Sequence, residues 1–268
     1  MKINWTQQTV VLTGAYGGLG KALSQALLKR GANLILMGRD ASKLKALKAT
    51  LNQSVHILVG DVCDMNSVEK LKALLQDCQS QQHMLINNAA ISQAGFIQHH
   101  TAEDVRQMID INLAAPILLV QQLLPWLKQA EQAQIINIGS SFGGIGYAGF
   151  STYCASKFGL RGFSQALNRE LSDTQVTAHY LAPRAMATEI NSSAVDALNA
   201  KLGNKVDQPE QIAQQLIKAI EQKQTERFFG WPEKLFVKIN GLLPNLVSKA
   251  VKKDQPIIQS ILKNEVKS

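Results

Sequence analysis

The sequence predicts a doubly wound α/β domain. Three observations carry that expectation. Short β-branched runs alternate with helical stretches along most of the chain, the pattern of parallel strands joined by crossover helices. A glycine-rich turn at residues 14–20 joins the first run to the first helix. The length, 268 residues, suits one large α/β domain better than two small ones. Right-handed crossovers then put helices on both faces of a seven-stranded parallel sheet.

The elements follow in order. Residues 9–13 (TVVLT) form a buried strand. Residues 21–30 have helical spacing and stop at Gly31, a C-cap signal. Residues 33–37 are a second strand, and Asp40 caps a helix running to about Leu51. Residues 55–59 form a third strand, followed by a helix from Met65 to Cys78. Residues 84–87 are a fourth strand. Residues 102–128 read as a long helix, interrupted at Pro116 and ended near Pro125. Residues 133–138 are a fifth strand, with a long helix over 152–171 after it. Residues 175–181 are a sixth strand, and a helix over 210–222 leads to a seventh at 226–229. Residues 1–230 read as one domain and 231–268 as a C-terminal amphipathic helical extension.

Composition narrows the function classes. Hydrophobic residues make up 46% and charged residues 18%, which excludes a disordered chain. No uninterrupted apolar run reaches the roughly 18 residues of a spanning helix, and no leader is expected before the first strand. Three widely spaced cysteines (Cys63, Cys78, Cys154), without a C-x-x-C, exclude a disulfide scaffold and a zinc ribbon. They fit a reducing cytoplasm, and no metal site is expected. The net charge of +8 and pI of 9.4 are compatible with nucleic acid, a membrane surface or an acidic partner.

The first turn reads TGAYGGLG. Glycine is needed where backbone turns tightly or approaches a phosphate closely, and free N–H groups at the following helix start hold the anion. The spacing G-x-x-x-G-x-G differs from the G-x-G-x-x-G of the general dinucleotide fingerprint. Its place in the first strand–helix unit still points to a phosphate cradle made by Gly14, Tyr16, Gly17, Gly18, Leu19 and Gly20. The second strand is followed by Arg39. A carboxylate there would bond a ribose 2′-hydroxyl and select NAD, whereas an Arg pairs with a 2′-phosphate and selects NADP. Asp40 is needed as the helix cap, so NADP(H) is the expected cofactor. Asp61, at the end of the third strand, can accept from the adenine amino group.

Tyr153 and Lys157 stand at i and i+4 in the helix after the fifth strand and share a face. An ammonium beside a phenol favours the phenolate and lowers its pKa, which suits the phenol to proton transfer nearer neutral pH. Ser140 and Ser141 end the fifth strand, at the sheet edge where ligands bind in such folds.

With these residues in place, a resemblance is plain. TGAYGGLG, Asn87-Asn88-Ala89-Ala90, Ser140, Tyr153-Cys154-Ala155-Ser156-Lys157, and Pro183 with Thr188 occur in the order seen in short-chain dehydrogenases/reductases. The chain resembles that Rossmann-type family over roughly residues 7–230. The resemblance implies that Tyr153 is general acid/base, and that Lys157 lowers its pKa and binds the nicotinamide ribose. It also implies that Ser140 bonds the substrate oxygen and Asn112 holds a relay water. Ser140 stands 13 positions before Tyr153, the usual family interval, and is preferred to Ser141. Asn87 would brace the sheet. Asn88 and Ala89 would pass beside the cofactor, Asp61 and Val62 flank adenine, and Pro183 and Thr188 approach the carboxamide. One departure is Arg184, where the family usually has Gly after Pro183. It is expected at an ordinary φ, facing solvent or meeting an acidic substrate group.

The basic charge is unevenly placed. Residues 227–268 hold eight Lys/Arg against three Asp/Glu, a net +5, and the preceding 226 residues hold the other +3. In the extension, Leu235, Ile239, Leu242, Leu243, Leu246, Val247 and Ala250 make one helical face, and lysines crowd the other. Pro244 splits it into two helices. Three readings stay open: a packed pair of helices lining the substrate pocket, a peripheral contact with an anionic membrane, or a dimer contact. Nucleic acid is not an expected partner, because the basic residues interleave with an apolar face rather than with exposed aromatics. The family resemblance implies a homodimer or homotetramer. Residues 185–205 would form the substrate lid.

The expected activity is NADP(H)-dependent hydride transfer to a lipophilic carbonyl or from the matching secondary alcohol. A 3-oxoacyl-thioester (acyl-carrier-protein) reductase is the alternative enzyme. An NADP-binding sensor is the non-enzyme alternative, against which the intact Ser140, Tyr153 and Lys157 argue.

Overall fold

The computed structural model describes residues 3–51, 55–78 and 80–263. The outermost residues of the expected 1–230 domain and 231–268 extension, 1–2 and 264–268, lie outside the described residues. Strands β1 (Gln8–Thr13), β2 (Asn33–Gly38), β3 (His56–Val59), β4 (Gln82–Asn87), β5 (Gln132–Ile138), β6 (Val176–Ala182) and β7 (Glu226–Phe228) form one sheet. Its order is β3-β2-β1-β4-β5-β6-β7, and every pair is parallel. The winding direction reverses between β1 and β4, and the crevice above their C-terminal ends is where ligands bind in open α/β sheets.

Alternate strand residues feed two cores. Val10, Leu12, Leu34 and Leu36 pack under α1 (Gly18–Leu28) and α8 (Pro209–Glu221), which contribute Leu23, Leu27, Ile212 and Leu216. Val11, Ile35, Leu85 and Ile135 face the opposite side. There they meet Leu71 of α3 (Met65–Gln76), Leu123 of α5 (Ala115–Gln129) and Leu167 of α6 (Ser151–Glu170). Each fully buried leucine of this kind stabilises the fold by about 1.5–3 kcal/mol. Asp40 caps α2 (Ala41–Thr50), its Oδ1 accepting from the Lys43 N–H at 2.9 Å.

The long helix over 102–128 differs from expectation. It is two α-helices, α4 (Ala102–Ile109) and α5, joined by a π-turn at Asp110–Ala114. Pro116 lies in the first turn of α5, where a missing N–H costs little. Pro125 does not end α5, which runs on to Gln129. An interior proline costs about 3 kcal/mol, and packing offsets it here. Leu123 and Leu127 are buried, and Trp126 stacks on His83 with ring centres 4.0 Å apart. Residues 102–129 are long and apolar enough to cross a membrane by length and composition. The structure instead lays this stretch along the sheet.

After β6 the chain forms α7 (Ser193–Leu202) and α8, then β7. Pro244 separates α9 (Glu233–Leu242) from α10 (Pro244–Val251), and a third helix, α11 (Gln255–Leu262), was not foreseen. Ile258 and Leu262 of α11 pack fully buried against Phe150 and Leu198. That contact folds the extension back over the sheet edge.

Candidate active site

The turn after β1 is laced to the end of β4. The Thr13 Oγ1 accepts from the N–H groups of Asn88 and Ala89, each at 3.0 Å. The Asn88 Nδ2 donates to the Thr13 and Gly14 carbonyls at 3.0 and 3.1 Å. Gly14 has φ +62°, and a Cβ there would lie 2.8 Å from the Ala89 Cα. A Cβ on Gly20 would lie 2.3 Å from the Gly14 carbonyl oxygen, so α1 starts close against the turn. Gly17 is its N-cap and leaves the first N–H groups of α1 free to face an anion. Below, the Asn87 Nδ2 donates to Asn137 Oδ1, and the Asn137 Nδ2 donates to Ser164 Oγ, both at 2.8 Å.

This turn opens into a groove of about 270 Å³ lined by Gly14, Tyr16, Gly17, Gly18, Leu19, Gly20, Arg39, Asp61, Val62, Asn88, Ala89, Tyr153, Lys157 and Thr188. The structure thus gathers all but one of the expected cofactor residues. The exception is Pro183, which does not line the groove; its carbonyl accepts from the Ser141 N–H at 3.1 Å. It therefore fixes the Ser140–Ser141 turn from behind.

The groove also takes in Gly38, Gly60, Ile91, Ile138, Met186 and Ile190, which were not foreseen. Gly38 and Gly60 carried a signal, since Gly38 ends β2 and Gly60 follows β3 at the ligand edge. A Cβ on Gly38 would lie 2.5 Å from the Tyr16 ring. The isoleucines carried none, because an apolar residue reads as core until its neighbours are known. At the groove's lip the Arg39 Nη1 lies 3.8 Å from Asp61 Oδ2, both half-exposed. The other Asp61 oxygen accepts from the Cys63 N–H at 2.9 Å.

Tyr153 and Lys157 meet in the groove, and Ser140 hydrogen-bonds Tyr153 beside it. The Lys157 Nζ donates to the Ile138 carbonyl at 3.0 Å and sits 5.8 Å from the Tyr153 ring centre. Burial pushes the Tyr153 phenol up to about 12, against a hydrogen bond with Ser140 that lowers it. Burial also lowers Lys157 to about 8. The expected depression of the phenol is thus not met: its own desolvation sets the direction of the shift.

Tyr180, fully buried beneath, is within 3.3 Å of the Ser140 N–H and of the Ser140 and Lys157 carbonyls. A Cβ on Gly139 or Gly143 would run into its ring or hydroxyl. Asn112 lies in the π-turn, but its amide is consumed within the protein. Its Oδ1 accepts from the Ile91 N–H at 2.9 Å, and its Nδ2 donates to the Ile91 carbonyl and Ser156 Oγ at 2.9 and 3.2 Å. The side chain therefore ties the β4 loop to α6.

A second cavity, of about 440 Å³, shares Tyr153, Met186, Thr188 and Ile190 with the groove and adds Ser140. Phe142, Tyr147, Phe150, Val195, Leu198 and Phe236 give it an apolar wall, and Ala250, Val251 and Asp254 close it. The Tyr147 hydroxyl donates to Asp254 Oδ2 at 2.8 Å, and burial holds the Tyr147 phenol well above its ordinary range. The extension is thus part of the pocket wall. Arg184 has an ordinary negative φ, as expected. It lines the second cavity, but its side chain is largely buried and paired with Asp207 and Glu233 rather than free for a substrate.

The residues fit a nicotinamide dinucleotide. The glycine cradle leaves room that a Cβ would fill, and the buried Thr188 Oγ1 at the groove has no partner among the described residues. Fold and site together define a dinucleotide-dependent oxidoreductase. A family model described as short chain dehydrogenase matches residues 8–199. The chain belongs to the short-chain dehydrogenase/reductase family.

A 3-oxoacyl-[acyl-carrier-protein] reductase FabG of Rickettsia typhi is 34% identical over 74% of this chain and 79% of its own. Dehydrogenase/reductase SDR family member 7B of Xenopus laevis is 29% identical over 88% of this chain and 78% of its own. Among solved structures, a short-chain dehydrogenase from Sphingobium yanoikuyae in complex with NADPH is 26% identical with a TM-score of 0.75, covering 90% of this chain and 95% of that one. One from Burkholderia phymatum in complex with NAD shares the fold at 21% identity and a TM-score of 0.82, covering 91% and 96%.

Proposed function

We propose that this enzyme is an NADPH-dependent reductase of lipophilic ketones or aldehydes. One observation carries the reading: Tyr153 lines both the dinucleotide groove and an apolar cavity, and Ser140 lines that cavity beside it. Bound in the groove, the reduced nicotinamide supplies a hydride. Ser140 Oγ and Tyr153 Oη hydrogen-bond the carbonyl oxygen, and Tyr153 gives it a proton. A phenol held up to about 12 keeps that proton until the oxygen becomes basic. Lys157, at about 8, is still an ammonium at pH 7 and stabilises the phenolate left behind. Asn112 holds the β4 loop and α6 in register.

Arg39 supports NADPH over NADH, because Asp40 is engaged as a helix cap and cannot serve a ribose. The test is oxidation of NADPH and NADH with a panel of aliphatic, polycyclic and 3-oxoacyl-thioester carbonyls. Turnover with NADPH and bulky apolar ketones is expected. Tight NADPH binding with no oxidation would mean a sensor.

The FabG relatives and the basic extension favour a second reading, a 3-oxoacyl-thioester reductase served by an acidic carrier. Preference for thioesters in the same panel would establish it. The extension's outer face supports a peripheral membrane contact of a cytoplasmic enzyme. Leu242 is 82% exposed, Leu243 and Leu246 are exposed beside it, and Lys238 and Lys249 flank them. Full-length protein should float with anionic vesicles at low salt, and a Leu242→Ser/Leu243→Ser variant should not. Exposed Leu118 and Phe158 on α5 and α6 support a homo-oligomer, which light scattering tests.

A further inference from the structure

Arg184 stands two residues after the end of β6, at the root of the segment that carries α7. Its Nε and Nη2 donate to the two oxygens of Asp207 at 2.8 and 2.7 Å, a bidentate pair. Its Nη1 donates to the Trp231 carbonyl at 3.0 Å and to Glu233 Oε2 at 3.3 Å. The Arg184 side chain is only 8% exposed. Its path requires Gly230, where a Cβ would lie 2.6 Å from the Arg184 Cδ.

Asp207 is the far end of the segment. Its N–H donates to the Ala185 carbonyl, and its own carbonyl accepts from the Ala187 N–H, both at 3.0 Å. Trp231 and Glu233 begin the extension. One guanidinium therefore joins both ends of the segment over α7 to the first turn of α9. Both pieces line the apolar cavity, through Val195 and Leu198 on one side and Phe236 on the other.

We infer that Arg184 is a positioning residue that fixes the size of the substrate cavity by clamping the 185–207 segment to the C-terminal extension. The chemistry fits. A planar guanidinium with five donors can serve three acceptor groups at once, which a lysine cannot do with the same geometry. Two carboxylates against one cation leave this corner negative, so it offers no free charge to an acidic substrate. Breaking a buried pair of this kind leaves an uncompensated charge and loosens what it joined. The inference rests on reading the apolar cavity as the substrate pocket.

The test uses full-length Arg184→Gly, Arg184→Lys, Asp207→Asn and Glu233→Gln. Amide hydrogen exchange is read at Ala187 and Asp207 in the segment and at Leu235 in α9. NADPH affinity and the KM for a polycyclic quinone are measured alongside. Arg184→Gly should speed exchange about tenfold in both pieces and raise the quinone KM about tenfold, with NADPH Kd within about twofold. Arg184→Lys should recover part of the KM. Glu233→Gln lies outside the segment and should nonetheless speed exchange at Ala187 and Asp207.

Unchanged exchange there, an unchanged quinone KM in Arg184→Gly, or an equal loss of NADPH affinity would each overturn the clamp. Should Arg184→Gly not fold, Glu233→Gln and Asp207→Asn carry the same test. The exchange readout needs no substrate. Absence of turnover with every carbonyl would overturn the proposed function, and the clamp would then be judged on exchange alone.

Discussion

The cofactor groove and the substrate cavity meet at Tyr153, yet they are built by opposite means. The groove is made largely of backbone. Gly14, Gly17, Gly18 and Gly20 expose main chain at the junction of β1, β4 and α1, and the sheet beneath is fully buried. The cavity is made mainly of side chains from three segments far apart in the chain: Ser140 to Tyr153, Arg184 to Lys205, and Pro232 to Asp254. At Gly14 and Gly20 the backbone site tolerates almost no substitution, because a Cβ would run into main chain. A side-chain site can be resized one residue at a time. The difference explains how one fold keeps its cofactor while substrates vary.

The largest effect should come at the junction itself. Tyr153→Phe should lower turnover about 10³-fold, within the usual range for a general acid, while NADPH affinity stays within about twofold. Near-normal turnover would refute the assignment. Next is the backbone side. Gly20→Val should lower NADPH affinity at least about 100-fold, since its Cβ would meet the Gly14 carbonyl at 2.3 Å. Nucleotide titration reads the loss, and a thermal melt checks that the protein is folded. Gly18→Ala should lose less, because its Cβ meets only the Thr188 side chain.

Arg39→Glu should shift the kcat/KM ratio from NADPH toward NADH by about 100-fold, leaving the cavity's ranking of carbonyls intact. A changed ranking would show that the two regions are coupled. On the side-chain side, Phe142→Ala should raise the KM for a bulky ketone about tenfold without altering NADPH affinity.

The smallest effect separates function from stability. Lys157 is lowered from 10.5 to about 8 by burial. The unfolded chain therefore binds more protons than the folded one between those values, and stability rises with pH across that window. Lys157→Met should melt a few degrees above wild type at pH 7, with the gap closing toward pH 10.5, while losing activity. Wild-type reduction should hold to about pH 8 and fall above it as the ammonium is lost. A lower melting temperature for Lys157→Met at pH 7 would show that the buried amine stabilises the fold.

The extension changes the meaning of one experiment. Removing residues 231–268 would strip lysines from the surface, but it would also remove Phe236, Val251 and Asp254 from the cavity and Ile258 and Leu262 from Phe150. Loss of vesicle binding in such a truncation would not isolate a membrane contact. Point changes at Leu242 and Leu243 do.

The strands, the cradle and Tyr153 with Lys157 could be read from the chain because each is local. A parallel strand is a β-branched run, a cradle is a cluster of glycines, and an i, i+4 pair shares a face by helix geometry alone. Three things could not. Pro125 sits inside α5 because packing of Leu123, Trp126 and Leu127 outweighs a local penalty. The Tyr153 phenol is raised because burial is a property of the whole fold. Arg184 is a buried clamp because Asp207 and Glu233, 23 and 49 positions away, arrive beside it. Sequence by itself determined the fold class, the cofactor turn and the side chains proposed to react, whose physics is set by near neighbours. Only the tertiary structure decided the shape of the pocket, the protonation balance of Tyr153 and Lys157, and the partners of Arg184. Each of these depends on contacts and desolvation between segments that the linear order keeps apart.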